Sequence, residues 1–187
     1  MFKSSKHIAS DSEIIEAAEN FRKGSAEAFH ILYNKYQQNI YRFCLRMLGD
    51  SVIAKDAFQE IFIKVYEHRT NFKGNNFAAW LYTIARNTCL NYIRARKEHE
   101  IFDEVYHGQL RMPNSDIGMR EFIEKSIAQL PVTLREALIL REYEERSYQE
   151  IADILGIELS LAKVRVHRAR LLLRKMLQPI MKEIHET

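Results

Sequence analysis

From Ser25 onward the apolar residues recur at steps of three and four, the spacing that aligns one face of an α-helix. Phe29, Tyr33, Tyr36, Ile40, Phe43 and Met47 form the clearest such stripe. No segment alternates with the period of two that a half-buried strand requires, and no internal repeat competes with the helical pattern. The chain is therefore expected to be all-α.

Local signals divide it further. Ser10 with Glu13 forms a capping box that opens a short helix to about Arg22, closed by Gly24. Ser25 opens a long helix that Gly49-Asp50 ends. A third helix spans about residues 51–69, with Ala54, Phe58, Ile61, Phe62 and Val65 inward, residues 70–76 form a loop, and a fourth helix spans about 77–97. Over residues 98–115 the periodicity decays around Gly108, Pro113 and Asn114, as in a linker. A helix over about 116–129 follows, Pro131 interrupts it, and Thr133/Glu136 and Ser147/Glu150 each read as a capping box starting a helix. The expected architecture is two small helical domains, residues 10–97 and 116–178, joined by a flexible linker at 98–115, with tails at 1–9 and 179–187.

The net charge of +3 over 187 residues is too small to indicate a polyanionic partner, but its distribution is not. Residues 160–175 hold six Lys/Arg and no acid, and residues 86–97 hold four and none. Acids gather at 98–104 and 136–158, leaving two separated basic faces. Residues 147–155, a turn at 156–159 and a long helix capped by Ser160 have the spacing of a helix-turn-helix, with Gly156 suited to the left-handed end of its first helix. Ala162, Val166, Ala169 and Leu173 share the inward face. Lys163, Val164, His167 and Arg168 lie opposite, flanked by Arg165 and Arg170. Cations suit phosphates and guanine edges, and Val164 suits a thymine methyl. A charge run is usually a solvated face, but four turns without an acid favour the DNA reading.

Two further faces lie in the N-terminal domain. Asp56, Gln59, Glu60, Ile63 and Glu67 occupy the outer side of the third helix, which reads equally as solvated surface or as a protein contact. On the fourth helix Phe77, Leu81, Ile84, Thr88 and Tyr92 point inward, Trp80, Asn87, Asn91 and Arg94 share one flank, and Arg86, Leu90 and Lys97 the next. The preceding loop carries Phe72, Lys73, Gly74, Asn75 and Asn76. Amides, cations and an aromatic platform suit unstacked bases, although Trp80 or Phe72 taken singly reads more simply as packing.

The ordered set of Asp56-Ala-Phe-Gln-Glu-Ile-Phe62, Phe72-Lys-Gly and Phe77-Ala-Ala-Trp-Leu-Tyr-Thr-Ile-Ala-Arg-Asn87 resembles region 2 of the extracytoplasmic-function class of bacterial sigma factors. Leu130-Pro131, Arg135-Glu-Ala-Leu138, Tyr148-Gln-Glu-Ile-Ala152, Leu155-Gly156 and His167-Arg-Ala-Arg170 resemble region 4. The resemblance implies that Asp56, Gln59 and Glu60 contact core RNA polymerase, and Ile63 on the same outer face is expected to join them. It implies that the loop residues Phe72, Lys73, Asn75 and Asn76 and the face with Trp80, Asn87, Asn91 and Arg94 hold the melted −10 promoter element, and Arg86 on the adjoining flank is expected beside them. It implies that Ser160, Lys163, Val164, Arg165, His167, Arg168 and Arg170 read the duplex −35 element, and that an anti-sigma factor is a partner. The chain departs from the family where Gly-Thr-Val-Lys is common, here Ser160-Leu-Ala-Lys163, at Val164 where Ser is common, and at Asn91 where Asp is common. These departures bear on promoter preference.

Other classes fit less of the chain. A free-standing helix-turn-helix regulator accounts for residues 147–175 but leaves the third and fourth helices without a task. An enzyme is disfavoured, because the seven His are scattered, no His-Glu-x-x-His occurs and no Gly-rich loop could cradle phosphate. Cys44 and Cys89 match no metal or redox spacing, and Cys44 falls on an apolar stripe. No catalytic residue, metal or cofactor is therefore expected. No signal-peptide stretch or run of about 20 apolar residues occurs, so a cytoplasmic protein without membrane insertion is expected.

Overall fold

The computed structural model describes residues 11–74, 76–100 and 116–185. Among them the helices are α1 (Asp11–Arg22), α2 (Ala26–Leu48), α3 (Ser51–Glu67), α4 (Phe77–Glu100), α5 (Asp116–Gln129), α6 (Val132–Glu142), α7 (Tyr148–Leu155) and α8 (Leu159–His185), with one 3-10 turn at Arg69–Asn71. Ser25 caps α2 by accepting from the Ala28 amide at 3.2 Å. Gly49 closes it with φ of 71°, and its amide donates to the Leu45 carbonyl at 2.8 Å. Asp50 then caps α3 by accepting from the Val52 and Ile53 amides at 2.8 and 3.0 Å. Only Gly49 and Asp50 separate α2 from α3, so the two helices fold into an antiparallel hairpin.

Helices α1–α4 pack around Phe21, Leu32, Ile40, Phe43, Ile61, Val65, Leu81 and Tyr82, all buried. Helices α5–α8 pack around Ile127, Leu130, Leu138, Ile139, Ile151, Val166 and Ala169. These two helical domains do not stand apart, because one continuous apolar cluster runs through both. The side of α4 carrying Ala78, Tyr82, Ala85 and Cys89 is buried, so α4 is covered on more than the single stripe its period suggests. Cys44 is buried in the same cluster, as its place on the apolar stripe of α2 predicts.

Polar groups fasten the contact between the domains. The Arg135 guanidinium of α6 donates to the carbonyls of Met47 at 2.6 Å, Leu130 at 3.0 Å and Ala128. It thereby serves the C-terminal ends of α2 and α5 together. Gly49 lies so close to α5 that a Cβ there would sit 3.2 Å from that of Ala128. Between α6 and α7, Glu145 has φ of 54° and the Arg146 amide donates to the Leu140 carbonyl at 2.9 Å, closing α6 through a left-handed residue. That turn carries Glu144, which accepts from Tyr82 Oη and, at 3.3 Å, from Asn39 Nδ2. Arg46 stacks on Tyr143 with its guanidinium 3.8 Å from the ring centre.

Several expected boundaries move. The Thr133/Glu136 capping box does not form: Pro131 takes the cap position without a side-chain bond, and Glu136 turns into the protein. α8 begins at Leu159, with the Ala162 amide on the Glu158 carbonyl at 3.0 Å, so Ser160 lies inside the first turn and is not the cap. α4 continues to Glu100, into the expected linker, and α8 continues to His185, through most of the expected tail. α3 ends at Glu67 and the loop after it opens with the 3-10 turn. The capping residue proposed at Ser10, Asn75, the linker residues 101–115 and the tail residues 1–9 lie outside the described residues.

Candidate nucleic-acid and polymerase interfaces

The presentation of α8 follows from how α7 is built and ended. Ser147 Oγ accepts from the Glu150 amide at 3.2 Å while Glu150 Oε2 accepts from the Ser147 amide at 2.9 Å, the reciprocal pair expected from the sequence. Gly156 ends α7 with φ of 65°, and Ile157 N–H reaches back to the Ala152 carbonyl at 3.0 Å. The small side chains of Ala162 and Ala169, with Val166, then let α8 seat closely on α6 and α7, and all three are fully buried. Opposite them Ser160, Lys163, Val164, His167 and Arg168 are exposed, and Val164 is 41% exposed. This outer face has the width of one helix side, which a major groove about 12 Å wide admits.

The two flanking arginines are not presented in the same way. Arg165 folds back on Glu136, Nη1 to Oε1 at 3.2 Å. Arg170 holds Glu142 through Nε at 2.8 Å and Nη2 at 2.5 Å, and that bond raises its pKa above the ordinary arginine value. Two of the four Lys/Arg of the expected −35 set are thus neutralised within the chain, while Lys163 and Arg168 stay exposed.

On α3, Asp56, Gln59 and Ile63 are exposed along one face, Ile63 to 57%. Val52 precedes Asp56 by four residues and is 69% exposed, and Tyr66 follows Ile63 by three and is also exposed. Both extend that face and escaped the sequence reading, although their spacing to Asp56 and Ile63 was there to find. Glu60 is only half-exposed. Lys64 Nζ lies 2.5 Å from its carboxylate, and this bond, helped by the Tyr92 hydroxyl, holds the Glu60 carboxyl below its ordinary range. Burial and the bond to Glu60 push the Tyr92 phenol up to about 12.

At the start of α4, Asn76 caps the helix by accepting from the Ala79 amide at 2.9 Å, and its Nδ2 lies 3.5 Å from Glu150 of α7. Phe72 is only 4% exposed, its ring 5.6 Å from that of Phe77 and 5.5 Å from that of Trp80. It therefore anchors the loop from within, while Lys73 and Gly74 are left exposed. Trp80 is half-buried against Phe77, ring centres 5.6 Å apart, as the packing alternative anticipated. Asn87, Asn91 and Arg94 are exposed along one side of α4 at steps of four and three. Arg86 is turned the other way, into a two-pronged pair with Glu136 at 2.7 and 3.3 Å. Among the described residues, no three His, Cys, Asp or Glu side chains gather as a metal site requires, and no helix is long and apolar enough to cross a membrane.

Comparison with known proteins accounts for both domains. The family model described as Sigma-70 region 2 matches residues 32–99, and that described as Sigma-70 region 4 matches residues 121–173. The RNA polymerase sigma-H factor of Pseudomonas aeruginosa is 36% identical over 184 residues, covering 90% of this chain and 95% of its own. The ECF RNA polymerase sigma factor SigW of Bacillus subtilis is 33% identical over 175 residues, covering 85% of this chain and 94% of its own. The sigma factor RpoE of Bartonella quintana, solved in complex with the anti-sigma factor NepR, superposes with a TM-score of 0.71 at 27% identity, over 82% of this chain and 98% of that one. With both sigma regions matched in order, and relatives of this class matched along most of their length, the chain belongs to the Sigma-70 family, in its extracytoplasmic-function class.

Proposed function

We propose that this chain is the promoter-specificity subunit of a bacterial RNA polymerase. In this reading it binds the core enzyme, carries it to a particular set of promoters and assists their melting. The single observation that carries the reading is the coexistence, in one chain matched by both region models, of three unlike surfaces: the Val52–Asp56–Gln59–Ile63 face of α3, the Asn87–Asn91–Arg94 face of α4, and the Lys163–His167–Arg168 face of α8.

Each surface suits a different task. The α3 face mixes exposed apolar and acidic groups, as a protein contact does, and we assign it to core polymerase. The α4 face with the Lys73 loop offers amides and a cation to bases already out of the stack, and we assign it to the non-template strand of the −10 element. Ser160, Lys163, Val164, His167 and Arg168 suit a duplex major groove, and we assign them to the −35 element. Melting needs no catalytic group in this scheme, since holding unpaired bases lowers the free energy of the open duplex. Acting on the polymerase places the protein in the cytoplasm. The complex of the similar sigma factor RpoE with the anti-sigma factor NepR supports a partner of that kind here.

A free-standing duplex binder would use the α8 face alone and leave the exposed faces of α3 and α4 without a task. The deciding experiment is run-off transcription with purified core polymerase and templates from the source genome. Specific initiation that depends on this chain is expected. Specific tight binding to duplex alone, with no polymerase-dependent transcript, would favour the free-standing regulator instead.

A further inference from the structure

Glu136 is an acid in the wrong place for a surface helix. Its side chain is 1% exposed, and it accepts from one arginine of each domain. Oε2 takes Arg86 Nε at 2.7 Å, while Oε1 takes Arg86 Nη2 at 3.3 Å and Arg165 Nη1 at 3.2 Å. A carboxylate stays charged at such burial only if cations and hydrogen bonds offset its lost hydration, and removing one partner leaves an uncompensated charge. The two cations are also candidate DNA contacts, Arg86 on the −10 side and Arg165 on the −35 side. One carboxylate therefore occupies a cation from each DNA-reading helix.

That arrangement cannot coexist with a fully engaged promoter. The two elements are separated by about 25 base pairs, or roughly 85 Å along the duplex at 3.4 Å per step. Arg86 and Arg165 reach the same pair of oxygens. We propose that Glu136 is an intramolecular latch that holds the two domains closed in the free protein and is released when polymerase and promoter draw them apart. The proposal rests on the sigma-factor reading above. Release exposes Glu136 to water and returns Arg86 to the strand-binding side of α4, where phosphate can replace the carboxylate. The contacts of Glu144 with Tyr82 and Asn39, and of Asn76 with Glu150, cross the same seam and open with it.

The latch makes a prediction of unusual sign. If the closed form dominates, the apparent affinity for core is reduced by the fraction of open molecules, so breaking the latch strengthens binding. Arg86→Ala removes the bond between domains, along with the 3.3 Å bond from Arg86 Nη1 to Asn87 Oδ1, and leaves Glu136–Arg165 in place. Glu136→Gln weakens both. Donor and acceptor dyes on Glu16→Cys and Lys175→Cys, both exposed, one in each domain and neither among the residues assigned to the three surfaces, report domain separation in the free chain, since the native Cys44 and Cys89 are buried.

The wild type is expected to give high energy transfer. Arg86→Ala is expected to raise the open population about tenfold and to tighten binding to core polymerase by the same factor. Arg86→Lys, which keeps the charge but loses the two-pronged geometry, is expected to fall between. Circular dichroism on each variant checks that the helices persist. Equal transfer in wild type and Arg86→Ala, or a core affinity that is unchanged or weaker in a folded Arg86→Ala, would overturn the latch. The transfer measurement uses the free chain, so its outcome is separate from that of the transcription experiment.

Discussion

Arg135 is the side chain whose removal should cost most for its size. Its guanidinium serves three carbonyls, those of Met47, Ala128 and Leu130, at the ends of α2 and α5. A hydrogen bond to a charged group contributes about 1.5–3 kcal/mol, so three give a gross value of roughly 5–9 kcal/mol. Against this stands the lost hydration of a partly buried cation, which also lowers its pKa below the ordinary value, and a buried Nε with no acceptor, costing about 1–3 kcal/mol. Water can reach some of the freed carbonyls and recovers a further part. Arg135→Ala should therefore destabilise the chain by about 2–4 kcal/mol, or roughly 4–16 °C in melting temperature for a protein of this size. Arg135→Met preserves most of the packing volume and separates the two sources of the loss. If hydrogen bonding dominates, Met recovers less than about 1 kcal/mol of the deficit. Urea melts with an unchanged m-value give these numbers. A loss below about 1 kcal/mol for both variants would instead mean that solvent serves those carbonyls as well as Arg135 does.

Arg168→Ala should weaken −35 duplex binding by about 1–3 kcal/mol if its exposed side chain reads a base, measured by titration of a labelled duplex with holoenzyme. Arg170→Ala should cost less, because Glu142 already neutralises that cation, and Glu142→Ala should raise duplex affinity. The Glu144 carboxyl is pushed above its ordinary 4.5 by burial, against the opposing bonds from Tyr82 and Asn39. A raised carboxyl stabilises the fold below its unfolded pKa and loses that contribution as pH rises through its folded value. Wild type should therefore lose stability relative to Glu144→Gln as pH climbs from 4.5, and denaturant midpoints of the pair that run parallel would contradict this.

Much of this fold was readable because helices advertise themselves locally. The stripe on α2, the Ser25 cap, the Gly49-Asp50 break and the Ser147/Glu150 box each depend on residues within four positions of one another, and the structure has all of them. The outer face of α8 was legible for the same reason. Where neighbours in sequence do not decide the outcome, the structure departs from the local pattern. Thr133/Glu136 has the spacing of a capping box, but Pro131 starts α6 without one and Glu136 finds two guanidinium groups from elsewhere. Phe72, which taken singly reads as packing and as part of its polar loop reads as a base contact, turns inward because Phe77 and Trp80 offer it apolar surface that lies beyond its own loop.

The basic faces show the division most clearly. Sequence alone determined that residues 160–175 form a cationic helix with one buried side, since composition and helical period act over a few turns. It likewise determined that acids cluster elsewhere in the chain. Which acid meets which base was beyond it. Glu136 lies 50 residues from Arg86 and 29 from Arg165, and Glu142 lies 28 from Arg170. Only the packing of α6 and α8 against each other, and of the two domains across α4, brings those charges within bonding distance. Coulombic attraction in water is weak over such separations until the apolar surfaces between the helices are buried. Tertiary structure therefore decided which cations face outward and which are held inside.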